Sequence, residues 1–424
     1  METSDVFESK LLSSGVQVVG QPMQGVESVA VGFLIGTGAR DERPEQFGVS
    51  HFIDQMLFRG TERHDARQIS EQFDGLGISY DASAGLEMTL VSAVLLGDKV
   101  GQAVNLLCEV IRSPRFPEDA VEDVRNLVLQ ELRQREDQPG QKVMDTLRQQ
   151  FFAGSPASHD VLGTEETIAR LTRDDLVQYW TDRYTANNII ISIAGNFDWD
   201  QVLAQLERTT ASWPAGRGRI EMSEPVPRSG ITVIERETTQ EHIGIAFPGV
   251  RVADPQFYAA SLLVQAMGGS SYSRLFQEVR EKRGLAYSVQ ARFDALEVTG
   301  MFRVYVGTSA ERAHESIEVI MAELKKVQET GLTEDELTLA KTRLKSQVVM
   351  RSESTSSRMV ANLRSWFFEE TLRSLQEVKD RIESISTGDV LRLAQTLGIT
   401  RNLAAVALGP ESEQDLFGRV LAQS

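Results

Sequence analysis

Asn187-Asn188-Ile189-Ile190-Ile191-Ser192-Ile193-Ala194-Gly195 reads as a turn running into a strand of β-branched residues that ends on glycine. The order returns as Asn402-Leu403-Ala404-Ala405-Val406-Ala407-Leu408-Gly409. A helical pattern precedes each copy, at Asp175-Leu176-Val177 and at Asp389-Val390-Leu391. The offset is 214 residues at the helix (175 to 389) and again at the glycine (195 to 409). A period that long marks a duplicated domain, because solenoid repeats are several-fold shorter. A second strand pair, Ser28–Gly36 and Glu241–Gly249, lies at nearly the same spacing. Between the copies runs the turn-rich stretch Trp213-Pro214-Ala215-Gly216-Arg217-Gly218, followed by Pro225 and Pro227. The expected organisation is therefore a domain over 1–215, a linker over 216–229 and a second domain over 230–424.

Within each half, strands are paired by hairpins and long amphipathic helices follow them. Met88–Leu96 is a strand, and helical patterns lie near Val100–Ile111, Glu118–Arg135 and Gln141–Phe152. In the second half, Ser288–Ala295 and Gly300–Gly307 form a hairpin, with a helix over Ala310–Glu329. This order predicts an α+β fold of two homologous halves, each an antiparallel β-sheet packed with α-helices.

Composition narrows the function. The hydrophobic share of 41% and charged share of 25% are those of a globular protein. A net charge of −17 argues against nucleic acid or anionic membrane as the main partner, and suits neutral or basic peptides. The single cysteine, Cys108, excludes intrachain disulfides and zinc–thiolate clusters; its apolar neighbours predict a buried, inert thiol. Met1-Glu2-Thr3-Ser4-Asp5 has no basic or apolar leader pattern and no run is long enough to span a membrane, so the expected location is cytoplasmic.

The candidate chemistry begins at His51-Phe52-Ile53-Asp54-Gln55. Val49, Phe52, Ile53, Met56 and Leu57 share one helical arc and form its core face. His51, Asp54 and Gln55 converge on the opposite arc, at i, i+3 and i+4. Such a trio is either the polar face of a surface helix or a set of ligands around one point. Glu131, 80 residues after His51, lies on the stripe formed by Val121, Val124, Leu127 and Val128. A carboxylate on an apolar stripe has to be paired, metal-bound or protonated. An internal arginine or lysine is the ordinary partner.

Here the chain resembles the M16 metallopeptidases, the insulinase and mitochondrial-processing-peptidase family. Their zinc site is an inverted His-x-x-Glu-His helix plus a Glu about 80 residues later. The likeness covers nearly the whole chain. It includes Gly36-Thr37-Gly38-Ala39-Arg40-Asp41-Glu42 and Met56-Leu57-Phe58-Arg59-Gly60-Thr61 around the helix, and Leu162-Gly163-Thr164-Glu165-Glu166. In the second half it includes Gly268-Gly269-Ser270-Ser271-Tyr272-Ser273-Arg274-Leu275-Phe276 through Gly284-Leu285-Ala286-Tyr287. The resemblance implies two halves facing each other as a clam-like chamber.

Carried over residue by residue, His51 and Glu131 match the first and third zinc ligands. Asp54 stands at the general-base position and Gln55 replaces the second histidine. Val124 stands where a further acidic residue is usual. An amide is a weak zinc ligand, and two remaining ligands are fewer than the three a catalytic zinc takes from protein. No zinc or other cofactor is therefore expected in this chain. Arg280 and Tyr287 match the pair that binds the substrate backbone and stabilises the tetrahedral oxyanion. Ala82, Ser83 and Ala84 match the edge on which family members hold peptide as an added strand. The expectation is a noncatalytic subunit, inactive alone, that binds peptide and lends Arg280 and Tyr287 to a zinc-bearing M16 partner in a heterodimer; a homodimer is the other arrangement. Two other classes remain open: a structural or peptide-binding core-type subunit, and an atypical zinc peptidase using His51, Asp54 and Glu131. Gly268-Gly269 is no phosphate loop, since no Lys-Ser or Lys-Thr follows. His64, His159, His242 and His314 show no ligand spacing.

Overall fold

The computed structural model describes residues 6–400 and 403–410; Met1–Asp5 and Asn402 lie outside the described residues. Two sheets organise the described residues. The first contains β1 (Glu8–Leu11), β2 (Gln17–Pro22), β3 (Ser28–Ile35), β4 (Ser79–Ala84), β5 (Thr89–Leu96) and β6 (Ile189–Gly195), in the order β1-β2-β6-β3-β5-β4. The second contains β7 (Gly230–Glu235), β8 (Glu241–Gly249), β9 (Ala286–Ala295), β10 (Gly300–Thr308) and β11 (Ala404–Gly409), in the order β7-β11-β8-β10-β9. The recurring stretch is β6 in one sheet and β11 in the other. Each sits between the strand it pairs with in parallel, β2 or β7, and an antiparallel neighbour, β3 or β8. Each sheet is otherwise antiparallel. The expected α+β architecture of two homologous halves is thus present, with one parallel pair in each sheet.

β3 and β6 are apolar almost throughout because both of their faces are covered. On one face Val29, Val31, Phe33 and Ile35 join Phe52, Ile53 and Leu107 in the first unit's main core. On the other, Ala30, Leu34 and Ala194 meet Met359, Leu363 and Phe367 of the Thr355–Glu369 helix. The second sheet repeats the plan. Ile243, Ile245 and Phe247 of β8 enter its main core. Ala246, Val406 and Leu408 pack on Val143, Leu147 and Phe151 of the Pro139–Phe151 helix.

Each sheet is thus covered by a helix from the other half of the sequence. One compact unit comprises residues up to Arg133, His159–Glu221 and Val349–Leu375; the other comprises Gln134–Ser158, Met222–Val348 and the described residues from Gln376 on. Glycines permit the covering. A Cβ on Gly32 of β3 would collide with the Met359 sulfur and come within 2.9 Å of Leu363 Cδ1. Gly244 holds the same place in β8, where a Cβ would lie 3.0 Å from Val143 and 3.1 Å from Leu147. No helix among the described residues is long and apolar enough to cross a membrane.

Candidate active site

The His51 segment forms the helix Val49–Met56 in the first unit. Val49, Phe52, Ile53, Met56 and Leu57 are fully buried, as the periodicity predicts. The helix begins at Gly48, whose φ of +90° favours glycine and whose bare Cα admits the Leu162 carbonyl, 2.7 Å from where a Cβ would stand. Gly48 carries no capping side chain. Instead Glu42, brought in by the preceding loop, accepts from Gly48 N at 2.6 Å and Ser50 N at 2.8 Å. Burial pushes Glu42 up to about 8 despite these two donors. Behind it, Tyr179 hydroxyl lies 2.9 Å from Ser50 Oγ and 2.8 Å from Thr37 Oγ1. Glu42 was visible in sequence as part of the family flank, but no spacing marked it as the anchor of the helix.

The structure brings His51, Asp54, Gln55 and Glu131 together. The second carboxylate comes from the Glu118–Glu136 helix, whose Val121, Val124 and Val128 are buried and whose Leu127 is half-buried. Glu131 Oε2 lies 2.7 Å from His51 Nε2, so its partner is His51 rather than an arginine or lysine. Asp54 Oδ2 lies 3.2 Å from His51 Nδ1. Burial pulls the imidazole down, but the hydrogen bonds and charges of Asp54 and Glu131 outweigh it and raise His51 to about 9. At neutral pH it is an imidazolium donating from both nitrogens. Asp54 is only 3% exposed. Its carboxylate also accepts from Ala84 N at 2.6 Å and from Gln55 Nε2 at 2.9 Å.

This donor set does not fit a catalytic zinc. Three protein ligands are needed. Here one imidazole has both nitrogens committed to carboxylates, and the Gln55 amide donates to Asp54. Among the described residues no group of three or more His, Cys, Asp or Glu side chains is disposed to hold a metal ion. Val124, in the place of the family's further acid, is part of the core. Asp54 has three donors around it and little exposure, so its carboxylate is committed to the protein rather than to a metal-bound water.

The three peptide-edge residues all lie in one strand. Ala82, Ser83 and Ala84 belong to β4, the edge strand of the first sheet, and Gly85–Met88 is the turn into β5. Within that turn Glu87 is buried and accepts from Arg40 Nη1 at 2.8 Å.

Arg280 and Tyr287 lie in the second unit. Arg280 is in a π-helical turn, Phe276–Glu281, a wide geometry that often marks functional sites. Gly284, at φ +61°, then turns the chain into β9, whose second residue is Tyr287. Arg280 is exposed and Tyr287 is 64% exposed. Two neighbouring cations are tied to Glu278: Lys282 Nζ and Arg283 Nη1 each lie 2.6 Å from it. Among the described residues the Arg280 guanidinium has no carboxylate partner; its contact is the Phe276 ring, 4.9 Å from guanidinium carbon to centroid.

The remaining histidines have ordinary partners. His64 meets Glu109 at 2.8 Å, His159 the Ala39 carbonyl at 2.9 Å and His242 the Tyr305 hydroxyl at 2.8 Å; His314 lies 3.5 Å from Glu318. Cys108 is buried, and burial pushes its thiol far up, making it inert.

Known proteins resemble this chain along most of its length. Residues 18–165 match the family model described as insulinase (peptidase family M16), and residues 170–344 match the peptidase M16 inactive domain. A Bacillus subtilis relative, named uncharacterized zinc protease YmxG, is 33% identical over 397 residues, covering 94% of this chain and 97% of its own. The chain belongs to the M16 family. A Mycobacterium tuberculosis protein, also named an uncharacterized zinc protease, is 32% identical, covering 95% of this chain and 93% of its own. Solved structures also superpose closely. A peptidase M16 inactive domain from Pseudomonas fluorescens has a TM-score of 0.88 at 24% identity, covering 96% of this chain and 99% of its own. A protease from Helicobacter pylori has a TM-score of 0.88 at 19% identity, covering 96% of this chain and all of its own. A chain of complex III2 from Candida albicans superposes with a TM-score of 0.83 at 19% identity, covering 98% and 97%.

Proposed function

We propose that this chain is a catalytically degenerate M16 subunit that binds extended peptide along β4 and lends Arg280 and Tyr287 to a zinc-bearing M16 partner for peptide hydrolysis. One contrast carries the reading. His51, Asp54 and Glu131 are consumed by one another, whereas the Arg280 guanidinium stays exposed while Glu278 ties up the cations beside it. A guanidinium and a phenol are donors suited to a peptide carbonyl and to the oxyanion formed when it is attacked. A core-type subunit without catalysis would have no need of an unpaired Arg280.

The test is reconstitution. The purified chain is assayed for zinc and for cleavage of a mixed peptide library, then combined with a His-x-x-Glu-His M16 relative from the same organism. Cleavage by the pair, lost on Arg280→Ala and reduced on Tyr287→Phe, is the expected result. A relative that works equally well without this chain, or with its Arg280→Ala form, removes the basis of the proposal. The names of the relatives favour a second reading, an active zinc protease. Stoichiometric zinc together with cleavage by the lone chain would establish that one instead.

A further inference from the structure

Among the described residues, β4 ends its sheet with β5 on one side and no strand on the other. In an antiparallel pair, facing residues alternate between exchanging hydrogen bonds and turning their backbone groups away. Gly85 N donates to Met88 O at 2.8 Å across the turn, so its amide faces the β5 side. The next pair, Ala84 with Thr89, is therefore unbonded, and the alternation continues down the strand. The amides of Tyr80, Ala82 and Ala84 consequently point out of the open edge. These three rungs are what an incoming peptide strand would pair with. The rung nearest the Val49–Met56 helix is taken: Ala84 N donates to Asp54 Oδ2 at 2.6 Å.

Asp54 is poorly placed to yield. His51 and Gln55 hold its carboxylate from two sides, and it is almost wholly buried. A charge-assisted bond from a backbone amide to a carboxylate is roughly twice as strong as one to a neutral peptide carbonyl. A peptide carbonyl competing for Ala84 N would also face the negative charge of Asp54. We infer that Asp54 is a strand stop: an extended peptide adding to β4 pairs with Tyr80 and Ala82 and is refused at Ala84. The residue standing at the family's general-base position thereby sets the register and reach of the bound peptide. This inference rests on the peptide-binding reading of β4 proposed above.

Amide hydrogen exchange resolved at Tyr80, Ala82 and Ala84 tests it, with a mixed library of unstructured peptides about a dozen residues long as probe. In the free protein Ala84 exchanges slowly and Tyr80 and Ala82 quickly. Peptide slows Tyr80 and Ala82 and leaves Ala84 unchanged. In Asp54→Ala, Ala84 exchanges quickly until peptide is added, then slows, and affinity rises about three- to ten-fold for the added rung. Asp54→Asn preserves the shape without the charge and gives the same change in smaller measure should the alanine variant not fold. Fast exchange of Ala84 in the free protein, or protection of all three amides by peptide in the wild type, overturns the strand stop alone. No protection of Tyr80 or Ala82 by any peptide overturns the peptide-binding reading, and the stop with it.

Discussion

Glu131 Oε2 stands 2.7 Å from His51 Nε2, so a proton joins the Glu118–Glu136 helix to the Val49–Met56 helix. The bond is partly solvent-facing, which moderates its worth. Glu131→Ala leaves the imidazolium with Asp54 alone and is expected to lower unfolding free energy by about 1–2 kcal/mol. Glu131→Gln keeps an acceptor oxygen and should lose less than half of that. Urea midpoints of the two variants check this; equal losses would mean that charge and hydrogen bond play no part in the link.

Metal binding should be recoverable from this scaffold. Gln55→His adds an imidazole one turn from His51, and Asp54→Glu restores the longer acid of the family motif. The double variant is expected to bind zinc near one per chain in equilibrium dialysis, with wild type far below. Because zinc must displace the proton on His51, uptake by the variant should strengthen as pH rises from about 6 to about 8. Equal zinc content in wild type and variant would show that the amide at Gln55 is not what keeps the metal out.

Gly32 and Gly244 should respond unequally to alanine. At Gly32 the new methyl overlaps Met359, so a loss of about 2–3 kcal/mol is expected. At Gly244 the neighbours lie 3.0 to 3.3 Å away, and a loss nearer 1 kcal/mol is expected. Shortening Met359 to alanine in the Gly32→Ala background should return part of the deficit. Thermal denaturation of these variants and of Met359→Ala alone is sufficient; an additive double variant would show that the sulfur is not the obstacle.

Glu42 predicts a pH dependence. Burial raises it from an ordinary 4.5 to about 8, so between these values the folded protein holds a proton that the unfolded chain releases. Its contribution is complete below about 4.5 and is lost as pH climbs towards 8. Wild type should therefore lose about 2–4 kcal/mol between pH 5 and pH 8 that Glu42→Gln does not lose. Paired urea titrations at the two pH values decide it, and parallel losses would place the proton elsewhere.

The duplication, the hairpins and the core face of the motif helix were all legible from periodicity, which local sequence carries. β3, β5, β8 and the Ala310–Thr330 helix begin and end within a residue or so of the patterns that announced them. The convergence of His51 with Glu131 was legible only through family spacing, because a contact across 80 residues leaves no periodic trace. Three features were not legible. The apolar stripe of the Pro139–Phe151 helix says that it is buried but not against which sheet. Glu42 caps a helix from six residues before its N-cap, outside any capping pattern. The occupation of Ala84 by Asp54 depends on which way one backbone amide turns.

The exchange of the Pro139–Phe151 and Thr355–Glu369 helices has a consequence for how the chain is made. During synthesis the first sheet can assemble once residue 195 has emerged, but the far sides of β3 and β6 stay bare until residue 369 follows. For that interval Ala30, Leu34, Ala194 and their neighbours present an apolar surface that chaperones or other nascent chains can engage. A gene cut within 216–229 would give two fragments, each missing a cover and each carrying the other's. Neither should be soluble when produced alone, and co-expression should rescue both. The duplicated halves are thus repeats in sequence yet a single obligate unit on the ribosome.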